Sequence, residues 1–206
     1  MEGIYASNTK LKKKRRKAVR VKFVLLATTL FISAVLIHFV QGLKNEEASD
    51  YMLEERLYSS MMDKENRLKA YNRAVELNGG SSANTCVYFI AEVLRMNGKK
   101  INDNICNTTE ILSIMKEKGW KKEYDYKKLK PGNICFTTDE KLNKYGTPTH
   151  TYIFMRWKEE GKYDYAYICD NQAKDYDGKV YHLRNIVKIE TVKGNAKEPF
   201  SFFVYK

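Results

Sequence analysis

The longest uninterrupted apolar stretch is Phe23–Val40, 18 residues without a formal charge. As a helix rising about 1.5 Å per residue it spans roughly 27 Å, close to the hydrocarbon thickness of a bilayer. Beyond it the pattern shortens. Tyr51–Leu77 contains neither Gly nor Pro, and Leu57, Met61, Met62, Leu68, Tyr71 and Val75 recur roughly every three to four residues. That spacing predicts one long helix, stopped by Asn78-Gly79-Gly80. Cys86, Phe89, Ile90, Val93 and Leu94 share a helical face, which predicts a core helix from Asn84–Cys86 to Met96. Asn107-Thr108-Thr109-Glu110 has the form of a capping box and opens a short helix to Lys118. After the turn signal Lys130-Pro131-Gly132-Asn133 the chain reads as strands near 134–138, 150–157, 163–170, 179–183 and 199–205. Helices first and strands afterwards predict an α+β domain, with N-terminal helices packed on an antiparallel sheet and one transmembrane helix before it.

Charge sharpens the division. The 206-residue chain carries +12, but nine basic residues from Lys10 to Lys22 and a single acid, Glu2, precede residue 44, so that segment alone carries +8. The remaining +4 gives the body no strong basic face, and a nucleic-acid partner is not expected. The positive cluster before the apolar run predicts a cytoplasmic tail over 1–22, a signal-anchor helix over 23–43, and an extracytoplasmic remainder. A cleaved signal peptide is the competing reading; the long n-region and the length of the apolar run favour an anchor. Residues 44–61 read as a stalk and the start of a helix, and 62–206 as the outer domain. Neither a metal nor a cofactor is expected, because Cys86, Cys106, Cys135 and Cys169 form no closely spaced pair.

Three positions carry candidate chemistry. Cys86 lies in the first turn of its helix, behind the small-residue loop Gly79–Ala83, where unpaired N–H groups and the helix dipole favour a thiolate. His150 opens an apolar strand. If Trp157 pairs with about Tyr163 across the Lys158–Lys162 turn, His150 faces about Asp170, a carboxylate placed to hold the imidazole tautomer. Asn171 and Gln172 are alternates for that third role. The Cys86 N–H is the leading oxyanion donor, with the Asn84 and Thr85 side chains as helpers. His182 alternates with apolar neighbours and is expected to face solvent and to be dispensable. Cys135 and Cys169 sit in apolar strands and read as buried free thiols. Trp120, Tyr124, Tyr126, Tyr145 and Trp157 are candidates for a substrate groove or for ordinary core. The bland alternative makes Cys86 a small core residue and His150 a salt-bridged hairpin histidine.

The order of a helix-borne cysteine, a Lys-Pro-Gly turn into a strand, a strand-opening histidine and Asp170-Asn171-Gln172 on the following strand resembles the CHAP and NlpC-type cysteine hydrolases. These are papain-like bacterial peptidoglycan amidases and endopeptidases, and the resemblance covers roughly 62–205. It implies a papain-like fold, Cys86 as nucleophile, His150 as general base and Asp170 as the orienting residue. It also implies peptidoglycan or another peptide as substrate, with residues 23–43 holding the enzyme to the membrane. The chain departs from the pattern at Asn133, commonly Asp, at Thr85, often Gln in CHAP members, and in lacking the aromatic-glycine run before the NlpC cysteine. A catalytically inactive papain-like domain, acting as an interaction module in an envelope complex, is the alternative.

Overall fold

The computed structural model describes residues 31–40 and 52–206. Residues 31–40 are helical and belong to a separate unit, Met1–Ser49. The expected tail over 1–22 and most of the expected span over 23–43 lie outside the described residues. Among those described, no helix is long and apolar enough to cross a membrane.

The second unit, Asp50–Lys206, holds the predicted helices and sheet. The single helix expected over 51–77 is two, α1 (Leu53–Met62) and α2 (Lys64–Leu77). Asp63 interrupts it: its backbone is extended (φ −78°, ψ 128°) and its carboxylate accepts the Asn66 N–H, starting a new helix in place of the old one. Arg67 then donates to the carbonyls of Met61 and Met62, at 2.6 and 2.8 Å, satisfying the end of α1. Leu53, Leu57 and Met61 are fully buried, so the segment read as stalk and helix start contributes a helix to the core. Helices α3 (Cys86–Met96) and α4 (Thr108–Glu117) form where expected. Asn107 caps α4 by accepting the Glu110 N–H, and Glu110 reaches back to the Cys106 N–H.

The sheet has six strands, all paired antiparallel: β1 (Lys121–Glu123), β2 (Ile134–Thr137), β3 (Thr151–Glu159), β4 (Lys162–Cys169), β5 (Tyr181–Asn185) and β8 (Phe200–Tyr205). Their spatial order is β1-β8-β2-β3-β4-β5, and β6 (Glu190–Val192) with β7 (Asn195–Lys197) forms a separate hairpin. Strand alternation sorts the side chains. Ile134, Phe136, Ile153, Met155, Cys169, Phe202 and Val204 join the helices in one core. Cys135, Tyr152, Phe154, Ala166, Ile168, Phe200 and Phe203 form a second core with Leu129 and Ile186. Strand β1 escapes a hydrophobicity search because Lys-Lys-Glu has no apolar residue; it is an edge strand held by backbone pairing to β8.

The β3–β4 register differs from expectation. The turn is only Glu160-Gly161, with Glu159 opposite Lys162, and two irregularities set Trp157 opposite Ala166 rather than Tyr163. The Lys-Pro-Gly turn has a steric role. Gly132 has φ +91°, and a Cβ there would come within 1.8 Å of the Glu54 carbonyl oxygen in α1. The glycine lets α1 lie directly on the entry to β2, while Asn133 Oδ1 accepts the Lys130 N–H and closes the turn.

Gly132→Ala is expected to cost at least ~2 kcal/mol, since it combines a left-handed backbone with a collision against main chain. Gly161→Ala, also at positive φ but in open space, should cost about 1 kcal/mol. Urea midpoints of the two variants check this; equal midpoints would show that α1 is free to move off the turn.

Candidate functional site

The site is assembled where the start of α3 meets the adjoining ends of β3 and β4. Before α3, Asn84 takes a left-handed conformation (φ 58°) and Thr85 leads into the helix as its N-cap. The Thr85 carbonyl accepts the Phe89 N–H, the first bond of α3. Cys86 therefore lies in the first turn, whose N–H groups have no acceptor within the helix. It keeps 9% exposure, with most of its side chain in the core of the helical face.

His150 immediately precedes β3 and Asp170 immediately follows β4. The sheet register carries His150 past Asp170, so their contact is diagonal rather than straight across. The imidazole Nε2 lies 2.8 Å from Asp170 Oδ2. This leaves Nδ1 as the ring nitrogen available to a thiol. Burial pulls the His150 pKa down, but its hydrogen bond to Asp170 and then the neighbouring Cys86 outweigh it and leave the pKa above the ordinary histidine value. The sequence-predicted trio is thus brought together in space.

Asp170 is completely buried. Burial alone would raise its pKa, yet His182, His150 and Arg184 hold the carboxyl well below the usual carboxylate range. The His182 contribution requires a protonated ring, and His182 is itself pushed towards the neutral form, above all by burial. Near neutral pH the charge of Asp170 therefore rests on His150, on Arg184 and on the Gln172 N–H, which donates to Oδ1 at 2.8 Å.

The alternates take other places. Asn171 Nδ2 donates to Thr85 Oγ1 at 3.0 Å and lies 3.4 Å from the Ser82 carbonyl. Thr85 Oγ1 in turn donates to the same carbonyl at 3.0 Å. Asn171 thereby ties the loop after β4 to the loop before Cys86, and makes no hydrogen bond to His150. The Gln172 side-chain oxygen is buried without a partner, and Asn84 is exposed. The geometry puts neither Asn171 nor Gln172 in the position that Asp170 occupies.

His182 departs from expectation. It is 4% exposed, stacked on Tyr176 with ring centroids 3.5 Å apart, and its Nε2 lies 3.8 Å from Asp170 Oδ1. It faces inward because alternation along β5 sets it on the same side as buried Arg184. β5 pairs Ile168 with His182, two residues from Asp170.

Cys135 and Cys169 are buried free thiols whose pKa values burial drives up, while Cys106 is exposed. Of the aromatics, Tyr126 and Trp157 pack on Phe200 and Phe154 beside the second core, whereas Tyr145 is 83% exposed. Trp120 lines a groove of about 970 Å³ with Leu53, Tyr58 and Phe203, away from Cys86.

The depressed Asp170 pKa fixes a sign. Its stabilisation is complete above the unfolded carboxylate value of about 4 and is lost as pH falls towards the folded value, at about 1.4 kcal/mol per pH unit. Asp170→Asn is expected to lower stability by ~2–3 kcal/mol at pH 6, with a smaller deficit at pH 3. Denaturation midpoints at the two pH values check this; a deficit independent of pH would assign the loss to packing. No family model, no curated protein and no solved structure matches this chain.

Proposed function

We propose that the domain is a cysteine hydrolase of amide bonds, with peptidoglycan as its foremost candidate substrate. The observation that carries this reading is the continuous arrangement from the α3 N-terminus through Cys86 and His150 to the buried Asp170. Asp170 binds Nε2 and fixes the imidazole with Nδ1 towards the thiol. Cys86 passes its proton to His150, and the thiolate attacks the amide carbonyl. The developing oxyanion is met by N–H groups of the first turn of α3, the Cys86 N–H foremost. The imidazolium gives its proton to the departing amine, and water then attacks the thioester with His150 as base, releasing the acid and restoring the thiol. The elevated His150 pKa suits a ring that must accept the thiol proton. The substrate class and the papain-like family rest on the ordered motif and on the signal-anchor expected over 23–43, which would put the domain outside the cell.

A second reading is favoured by one observation, the small exposure of Cys86 (9%) and His150 (5%). A site that no substrate reaches would serve as the rigid centre of an interaction module.

Digestion of purified peptidoglycan with mass spectrometry of the released pieces separates the two. Hydrolysis should fall by at least ~10³-fold in Cys86→Ala and in His150→Ala, and fragment masses would name the bond as amidase or endopeptidase. Release that persists in folded Cys86→Ala would remove Cys86 as nucleophile. A folded wild type inert on several walls and on peptide amides would favour the interaction module.

A further inference from the structure

Asp170 is flanked by two histidines, and the mechanism uses only one. His150 takes Oδ2, while Oδ1 accepts the Gln172 N–H and faces His182 Nε2 at 3.8 Å. The His182 ring is fixed in place. Its Nδ1 lies 3.1 Å from the Lys179 carbonyl, which only accepts, so Nδ1 carries the proton and donates. In the neutral ring Nε2 is then a bare lone pair turned towards a carboxylate, and it is buried without a hydrogen-bond partner. Tyr176 covers the ring face in parallel contact (12°). We propose that His182 is a positioning residue: as a neutral ring it leaves Asp170 committed to His150, and on taking up a proton it donates from Nε2 to Oδ1 and draws that carboxylate away, setting the acid limit of the site.

The step balances simply. One proton from solvent enters at Nε2, both ring nitrogens then donate, and the new hydrogen bond is charge-assisted. No adjustment at Lys179 is needed, because Nδ1–H keeps its acceptor. Closing 3.8 Å to a hydrogen bond requires a shift of about 1 Å, which the carboxylate makes by turning from His150.

The charged and titratable groups around His182 are few. Asp170 after β4 draws the proton in; Arg184 on β5 and His150 before β3 oppose it; Tyr176 in the turn after β4 stacks on it. Burial is the largest influence and keeps the ring neutral at neutral pH. Protonation therefore falls on the acid side of the ordinary histidine range. There it weakens the support of the His150 imidazolium, and with it the thiolate form of Cys86.

This inference rests on the proposed Cys86–His150 pair, and the test distinguishes the two without a substrate. The full chain in detergent is alkylated with iodoacetamide across pH 4.5–8, and modification of each cysteine is followed by peptide mass spectrometry. A Cys86 that reacts no faster at pH 7 than exposed Cys106, in the wild type, would strike down the proposed function. If Cys86 is selectively reactive, its acid limb should fall with a slope near two in the wild type and near one in His182→Gln, leaving the variant roughly threefold to tenfold more reactive at one pH unit below the break. Coincident limbs in two folded proteins would overturn the role of His182. Should His182→Gln fail to fold, the wild type alone decides: the ring nitrogen resonances of His150 must move in step with the titration of His182, and independent titrations would refute the coupling.

Discussion

An ionised carboxylate with no solvent exposure costs several kcal/mol unless partners replace its water, and Asp170 is such a group. Its partners come from separate elements: His150 from the entry to β3, the Gln172 N–H from its own loop, and, through its charge, Arg184 from β5. The strand order β3-β4-β5 meets that requirement, because it sets β4 between the two strands that carry the histidines. The Asp170 N–H bond to the Val180 carbonyl, at 3.2 Å, fixes the carboxylate's backbone to the approach to β5. Displacing either neighbouring strand would strand a charge in the interior, so the site and the fold constrain each other.

Much of this was legible in the sequence, for identifiable reasons. Helix α3 announces itself by one apolar face, and α4 by its capping box. The central strands announce themselves by alternation and by the turn at Lys130–Asn133. The break at Asp63 did not, because an Asp within a helix-forming stretch reads as a solvated side chain until Arg67 is seen capping the preceding turn. Strand β1 was silent because Lys121, Lys122 and Glu123 have no hydrophobic period. The sequence predicts the meeting of His150 with Asp170 through a hairpin register that differs from the one in the structure. The pair forms anyway, since both residues lie just beyond the strand ends, where a diagonal reach replaces direct opposition. The inward orientation of His182 is not legible, because one histidine among apolar neighbours carries no mark of which strand face is inward.

The same constraint organises the proposed chemistry. Asn171 joins the loop after β4 to Thr85, so the segment with the carboxylate that orients His150 is tied to the helix start that carries Cys86. Gly132 allows α1 to press on the entry to β2 and helps fix the sheet behind them. Together they pre-organise the thiol and the imidazole proposed to take its proton, with the charge of Asp170 behind the ring.

That proton transfer is the central claim, and a pH titration of the His150 ring nitrogen chemical shifts tests it most directly, in the wild type and in Cys86→Ala. The account predicts that removing the thiol moves the His150 titration to lower pH, because Cys86 helps hold the ring's proton. Coincident titrations in two folded proteins would show that Cys86 and His150 do not share a proton and would contradict the mechanism.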